Sequence, residues 1–307
     1  MITDNFGLQS AGSFSIAVLA LIMAILQAIF YLRKPQFVWF GWSAAISFSG
    51  MIYAIGIVLE YNAPPGSMNR FGGLLEYTAV IGLIHCLYGF SFSYLGLNGK
   101  RYHAIAGVFH FLVLVLLWAG EYIVANRFVA RDFIGLPRPF MEAELGPLGP
   151  LFVLYAILAS AGAIMLWIVY KGPHLQYKGA YLTGMVFWIG LGIHDAMASL
   201  GAPAFHYVME YGFLGFSMVV LWVAFSSFVD ISAEDKYRVI TEFANDGILV
   251  VQDGKMAYGN RASSVLFGRP VTDEVAEDFL DVVAPEDRRK LMQHYNGLLR
   301  SDDIPDP

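Results

Sequence analysis

Charge is the first thing this chain is short of. Asp, Glu, Lys and Arg make up 14% of its 307 residues, where soluble domains carry roughly 25%. With 57% hydrophobic residues and a mean hydropathy of +0.56, the bulk of the chain belongs in lipid. Cysteine is nearly absent: Cys86 stands alone, which excludes an intrachain disulfide framework and a cysteine-based metal site. No basic stripe accompanies the net charge of −6, so nucleic acid is not an expected partner. The first residues, MITDNFGLQSAGS, contain no basic n-region, so the first apolar run reads as a retained span and not as a cleaved signal peptide.

What is present is a series of apolar runs. Seven fit, over residues 14–32, 37–61, 71–95, 103–124, 150–170, 179–200 and 205–229, each close to the ~20 residues that cross a bilayer as a helix. Breakers separate them, including Lys34-Pro35, Pro64-Pro65-Gly66, Asn98-Gly99, Gly172-Pro173 and Gly201-Ala202-Pro203. Charge is uneven: residues 1–230 are poor in it, and residues 231–307 are dense in it. The expected organisation is a membrane domain over 1–230, a helical linker over 231–245 and a small soluble domain over 246–307. The last run passes into its charged continuation without Pro or Gly, so it reads as a rod that carries a signal out of the membrane.

Lys and Arg in the short connections set the orientation. Arg33 and Lys34, Lys100 and Arg101, Lys171 and Lys178, then Lys236 and Arg238 all follow odd-numbered runs. The expected topology is multi-pass in the cytoplasmic membrane, N-terminus outside and C-terminus in the cytoplasm. The long fourth connection, 125–149, carries Arg127, Arg131 and Arg138 but also Asp132, Glu142 and Glu144.

In that topology the acidic residues of the spans gather in the outer third. Glu60 closes the second run, Glu76 opens the third, Glu121 closes the fourth, Asp195 lies near the end of the sixth and Glu210 near the start of the seventh. Ionisable groups at membrane depth mark ligand or ion sites; near an interface they also serve simply as wetted ends. Asp195 is the deepest. His194, His206 and Glu210 fall at a similar depth across the tight turn at Gly201, and His206 and Glu210 are spaced i, i+4. The candidate ligand or ion site is therefore Asp195, His194, His206 and Glu210, with Glu76 and Glu121. His194, His206 and Glu210 are also ligand types a divalent metal accepts. The competing reading is a polar pair that ties helices together, and proton sensing by a histidine is a third. His85 and His110 sit mid-run; bis-histidine haem ligation is conceivable, against the plainer reading of interhelical hydrogen-bond partners. Seven-span retinal proteins need a lysine in the last span, and 205–229 contains none, which argues against retinal.

In the tail, GILVVQ and Lys255–Gly259 are strand-prone around Asp253-Gly254, the strongest short hairpin signal. A helix is expected over 261–267 before Gly268, another over 273–280, and a third opened by Pro285. Asp246-Gly247-Ile248, Tyr258-Gly259-Asn260-Arg261-Ala262, Leu266-Phe267-Gly268 and Pro285-Glu286-Asp287-Arg288 together resemble the N-terminal half of a PAS domain over about 237–300. The membrane half, above all HDAMASLGAPAFHYVMEYGFLGFS, is similar to the seven-span sensor regions that precede PAS domains in bacterial and archaeal histidine kinases.

The resemblance implies an α-helical membrane protein: a seven-transmembrane bundle with an incomplete α+β PAS-like domain in the cytoplasm. It implies a sensor of a small molecule, ion or proton in two-component signalling, a homodimer, with a kinase output domain and a response regulator as partners. A PAS domain closes its sheet with three more strands after the long helix, and the residues up to Pro307 do not supply them, so either the partner strands come from another chain or, the favoured expectation, this is a fragment of a longer receptor. No phosphoacceptor-helix pattern, ATP-binding Gly-rich box or GGDEF-like run is present. Kinase activity is thus expected only in a longer parent protein. The alternative is an ion-coupled transporter or channel with a regulatory tail, although the first and fifth runs contain no ionisable residue.

Overall fold

The computed structural model describes residues 8–132, 139–171, 177–202, 206–252, 255–268, 280 and 283–300. The Asp253-Gly254 turn, the helix expected over 273–280, Arg138, the Gly172-Pro173 breaker and the residues after 300 lie outside that set. The chain divides into two compact units, Met1–Ser227 and Phe228–Pro307.

The first unit is built from long helices: α1 (Leu8–Arg33), α2 (Val38–Asn62), α3 (Ser67–Tyr94), α4 (Lys100–Ala119), α5 (Gly149–Val169), α6 (Lys178–Ser199) and the start of α7 (Met209–Glu242). Six helices, α1 to α5 and the apolar part of α7 over Met209–Ile231, are long and apolar enough to cross a membrane. The chain is an α-helical, multi-pass membrane protein. The expected seventh member, α6, has the length at 22 residues but is not among those six. Four glycines and the His194-Asp195 pair dilute it. It nevertheless packs on α7: Trp188 stacks on Phe216 at 5.6 Å. Large apolar side chains such as Ile105 and Phe111 on α4, and Leu151 and Leu158 on α5, point outward, the surface a helix presents to lipid.

Small residues set the closest approach. At the α2–α3 crossing a Cβ on Gly56 would lie 2.8 Å from the carbonyl oxygen of Gly72, and a Cβ on Gly72 would lie 2.8 Å from that of Gly56. Such glycine-on-glycine contact is how membrane helices gain van der Waals packing without a hydrophobic driving force. Polar side chains add cross-links: Ser47 donates to Gln27 of α1 at 2.8 Å, and Ser13 donates to Glu210 at 2.8 Å.

The two ends of the bundle differ. At one end the longest connection folds into an antiparallel hairpin, β1 (Val124–Arg131) with β2 (Phe140–Leu145), which pairs Val129 with Glu142 and Arg131 with Phe140. Phe140 packs edge-on against Tyr61 at 4.8 Å and joins Tyr53, Ile57, Ala198 and Tyr207 in one buried cluster. At the other end, buried rings fill the space: Phe90 and Trp167 stack at 6.2 Å, and Tyr181 meets Phe90 at 5.0 Å. Between them, His85 and His110 approach Nδ1 to Nδ1 at 3.1 Å, a direct interhelical hydrogen bond with no room for a haem iron between the rings. His110 Nε2 continues the chain to the Tyr155 hydroxyl on α5.

In the second unit β3 (Leu249–Gln252) pairs antiparallel with β4 (Lys255–Gly259), followed by α8 (Arg261–Phe267) and α9 (Pro285–Arg300). Asn260 organises it. Its side chain accepts from the amides of Ile248 and Ser263 at 2.9 Å and donates to the carbonyls of Thr241 and Asp246. Gly268 stops α8 in the left-handed region at φ 68°. The backbone continues α7 without a break through Ser232 to Glu242, across the linker expected over 231–245.

Candidate functional site

Beneath the β1–β2 hairpin lies a cavity of about 130 Å³. Every carboxylate on its wall comes from a different element. Glu60 stands on α2, Glu76 on α3, Glu142 on β2 and Asp195 on α6, with Tyr53, Tyr77, Trp188, Ser199 and Tyr207 beside them. Phe152, Val80, Ile84 and Ile189 make the rest of the wall apolar. Glu60 and Asp195 are 4% and 5% exposed. Glu60 is therefore not the wetted helix end that its place in the sequence suggests: Asn62 and the hairpin lie beyond it.

The four carboxyl groups are matched unequally. Arg131 donates through Nε to Glu142 and through a terminal nitrogen to the carbonyl of Ser199 at 2.7 Å. Tyr207 donates to the second oxygen of Glu142 at 2.8 Å. Asp195 does different work. It accepts from the amide of Val208 at 2.9 Å and of Met209 at 2.7 Å, with His194 Nδ1 at 2.8 Å. Those amides stand at the start of α7, whose first N–H groups have no partner within the helix. Asp195 is a cap for α7 donated by another helix, and its negative charge sits at the positive end of the α7 dipole. Glu60 and Glu76 have no ion-pair partner among the described residues.

Burial pushes the Glu142 carboxyl above its ordinary 4.5, and Arg131 and the Tyr207 hydrogen bond pull only part of the way back. The folded protein then takes this proton more readily than the unfolded chain. Its contribution to stability is complete below the unfolded value and is lost as pH rises through the folded one. In thermal unfolding across the acid-to-neutral range, wild type is expected to lose stability with rising pH relative to Glu142→Gln. Parallel curves for the two proteins would exclude the assignment.

Of the residues singled out from sequence, Glu76 and Asp195 reach the cavity. His194 touches it only through Asp195. Glu210, 1% exposed, turns to Ser13 of α1 and does not line the cavity. His206 lies before α7 begins, so the expected i, i+4 face with Glu210 is not formed, and its ring rests against Tyr211 at 5.9 Å. Glu121 is exposed, does not line the cavity and accepts from the amide of Asn126 at 3.2 Å. Among the described residues no three His, Cys, Asp or Glu side chains are arranged to hold a metal ion; the set His194, His206 and Glu210 is not assembled, because Glu210 and His206 face different neighbours. Glu142, Arg131 and Tyr207 were not foreseen. The signal available was the alternation of Phe140, Glu142 and Glu144 opposite a strand ending in Arg131, a strand pattern inside a charged connection.

No protein-family model and no curated protein matches the chain.

Proposed function

We propose that the chain is the sensor part of a membrane signal receptor. In this reading α6 is the seventh span, and the hairpin end faces outside. A cationic stimulus or proton enters the carboxylate cavity, and α7 carries the response to a PAS-type domain in the cytoplasm. Phosphotransfer then belongs to a histidine kinase domain in a longer parent protein. The observation that carries the proposal is Asp195, which lines the cavity and also holds the first amides of α7.

A cation that draws on Asp195 weakens the cap, and α7 is the element that extends past Ser227 into the second unit. Such a cap is worth about 0.5–2 kcal/mol, enough to shift two packings of similar energy when the stimulus favours one of them. Arg33, Lys34, Lys100, Arg101 and Lys178 stand at the helix ends opposite the hairpin, which supports a cytoplasmic placement of that end. The ring layer favours a receptor over a transporter: Phe90 lies 14 residues along α3 from Glu76, about 21 Å, and with Trp167 and Tyr181 it fills with apolar surface the place where a polar path would continue.

Asp195→Asn tests the proposal, because it keeps the size and loses the charge. Amide exchange at Val208 and Met209 is expected to quicken about fivefold for a loss of about 1 kcal/mol. The decisive region is 228–242. A change in exchange there supports transmission through α7; a change confined to the first turn makes Asp195 a structural cap and removes the receptor mechanism.

A further inference from the structure

Resting on the reading of this cavity as the stimulus site, we propose that it takes a small protonated amine that carries a hydrogen-bond acceptor, an amino alcohol by chemical class. Charge leads the argument. Arg131 matches Glu142, and the α7 amides with His194 match Asp195. Glu60 and Glu76 remain, on neighbouring helices, hydrogen-bonded to each other and with no basic partner among the described residues.

Two orphan groups on the same wall define the rest. Among the described residues Glu76 Oε1 is buried and accepts from nothing, and Trp188 Nε1 is buried and donates to nothing. Trp188 is 4% exposed, so no bulk water serves it. A buried polar group left unmatched costs on the order of 1–3 kcal/mol. A ligand with one N–H⁺ donor and one oxygen acceptor answers both.

The alternatives fit less of the wall. A bare metal ion would leave the Trp188 N–H unmatched and the apolar surface of Val80, Ile84 and Phe152 unfilled. A quaternary ammonium has no N–H for Glu76. An anion meets four carboxylates. Tyr53 and Tyr77 are aromatic residues of the wall, a residue type that attracts a cation. The volume, about 130 Å³, limits the ligand to about the size of benzene, which fills a cavity of roughly 150 Å³. Trp188 stands seven residues before Asp195 on α6, two helical turns away, so a ligand bridging Glu76 and Trp188 pulls on the helix that caps α7.

The experiment is calorimetric titration of the full chain in lipid nanodiscs with ethanolamine, and in parallel with propylamine, choline, sodium chloride and calcium chloride. Ethanolamine is expected to bind saturably. Glu76→Gln should weaken it about tenfold or more, the scale of a charge-assisted hydrogen bond. Trp188→Phe should weaken ethanolamine about fivefold and leave propylamine, which has no acceptor, unchanged. Choline should bind at least about tenfold more weakly than ethanolamine for want of an N–H.

Absence of saturable ethanolamine heat on a chain that still unfolds cooperatively overturns the proposal, as does equal binding by ethanolamine and choline. Sodium or calcium heat that Glu76→Gln abolishes, with none from ethanolamine, replaces it with an inorganic cation site. Exchange in 228–242 of Asp195→Asn, measured without ligand, separates the two ideas. Transmission without amine binding sinks only the ligand class; amine binding without transmission sinks only the receptor reading.

Discussion

Arg131→Ala is expected to cost about 3–5 kcal/mol of stability, the penalty for stranding a buried charge by removing its partner. The Arg131 and Glu142 side chains are 18% and 11% exposed, too little for solvent to screen the loss. Arg131 also holds the carbonyl of Ser199, the last residue of α6, so the substitution removes a tie between β1 and α6 as well as the ion pair to β2. Unfolding in mixed micelles, followed by circular dichroism, reads the loss. The double variant Arg131→Ala/Glu142→Gln should recover much of it, because the stranded carboxylate goes with its charge. A single variant within about 0.5 kcal/mol of wild type, the range of an ordinary surface substitution, would mean that the hairpin does not depend on this pair.

Gly56→Leu is expected to cost about 3 kcal/mol by overpacking and to reach the site as well as the fold. A Cβ at 56 would stand 2.5 Å from Glu76 Cγ and 2.8 Å from the Gly72 carbonyl oxygen. The carbon of a flexible side chain can move; a backbone carbonyl moves only if α2 and α3 separate. Separation displaces Glu60 and Glu76 together, since they flank the crossing on either side. Stability should therefore fall in step with loss of ethanolamine binding. Gly107→Ala on α4 is the control: its Cβ would meet nothing within 4 Å, and alanine gains up to about 1 kcal/mol of helix propensity over glycine. If Gly56→Leu tolerates the change as well as the control does, the glycine contact does not set the α2–α3 distance.

Much of the site was visible in the sequence as a set of depths. Glu60, Glu76, Asp195 and Glu210 do lie toward one end of the bundle, because a helix advances a constant rise per residue and the runs alternate in direction. Direction around each helix was not visible. Glu210 and Glu121 have suitable depth and face elsewhere, while Glu142 enters the cavity from a connection that hydropathy alone ranks as a loop. Asp195 carried the strongest expectation as a ligand group; it lines the cavity and also engages the backbone of α7, a second role that no spacing in the chain announces.

By itself the sequence determined the long helices, the β3–β4 hairpin and the acidic bias toward one end. These follow from local causes: in lipid each helix satisfies its own backbone hydrogen bonds, and the strands and turns are written in adjacent residues. Only the tertiary structure decided which charges meet. The helices are apolar nearly all round, so no periodic polar face tells which side turns inward. Rotation about each axis is set by small-residue contacts such as Gly56 on Gly72 and by cross-links such as Ser13 to Glu210, between residues 197 apart in the chain. The pairing of Arg131 with Glu142, the cap that Asp195 gives α7 and the meeting of Glu60 with Glu76, away from any basic partner among the described residues, all depend on that rotation.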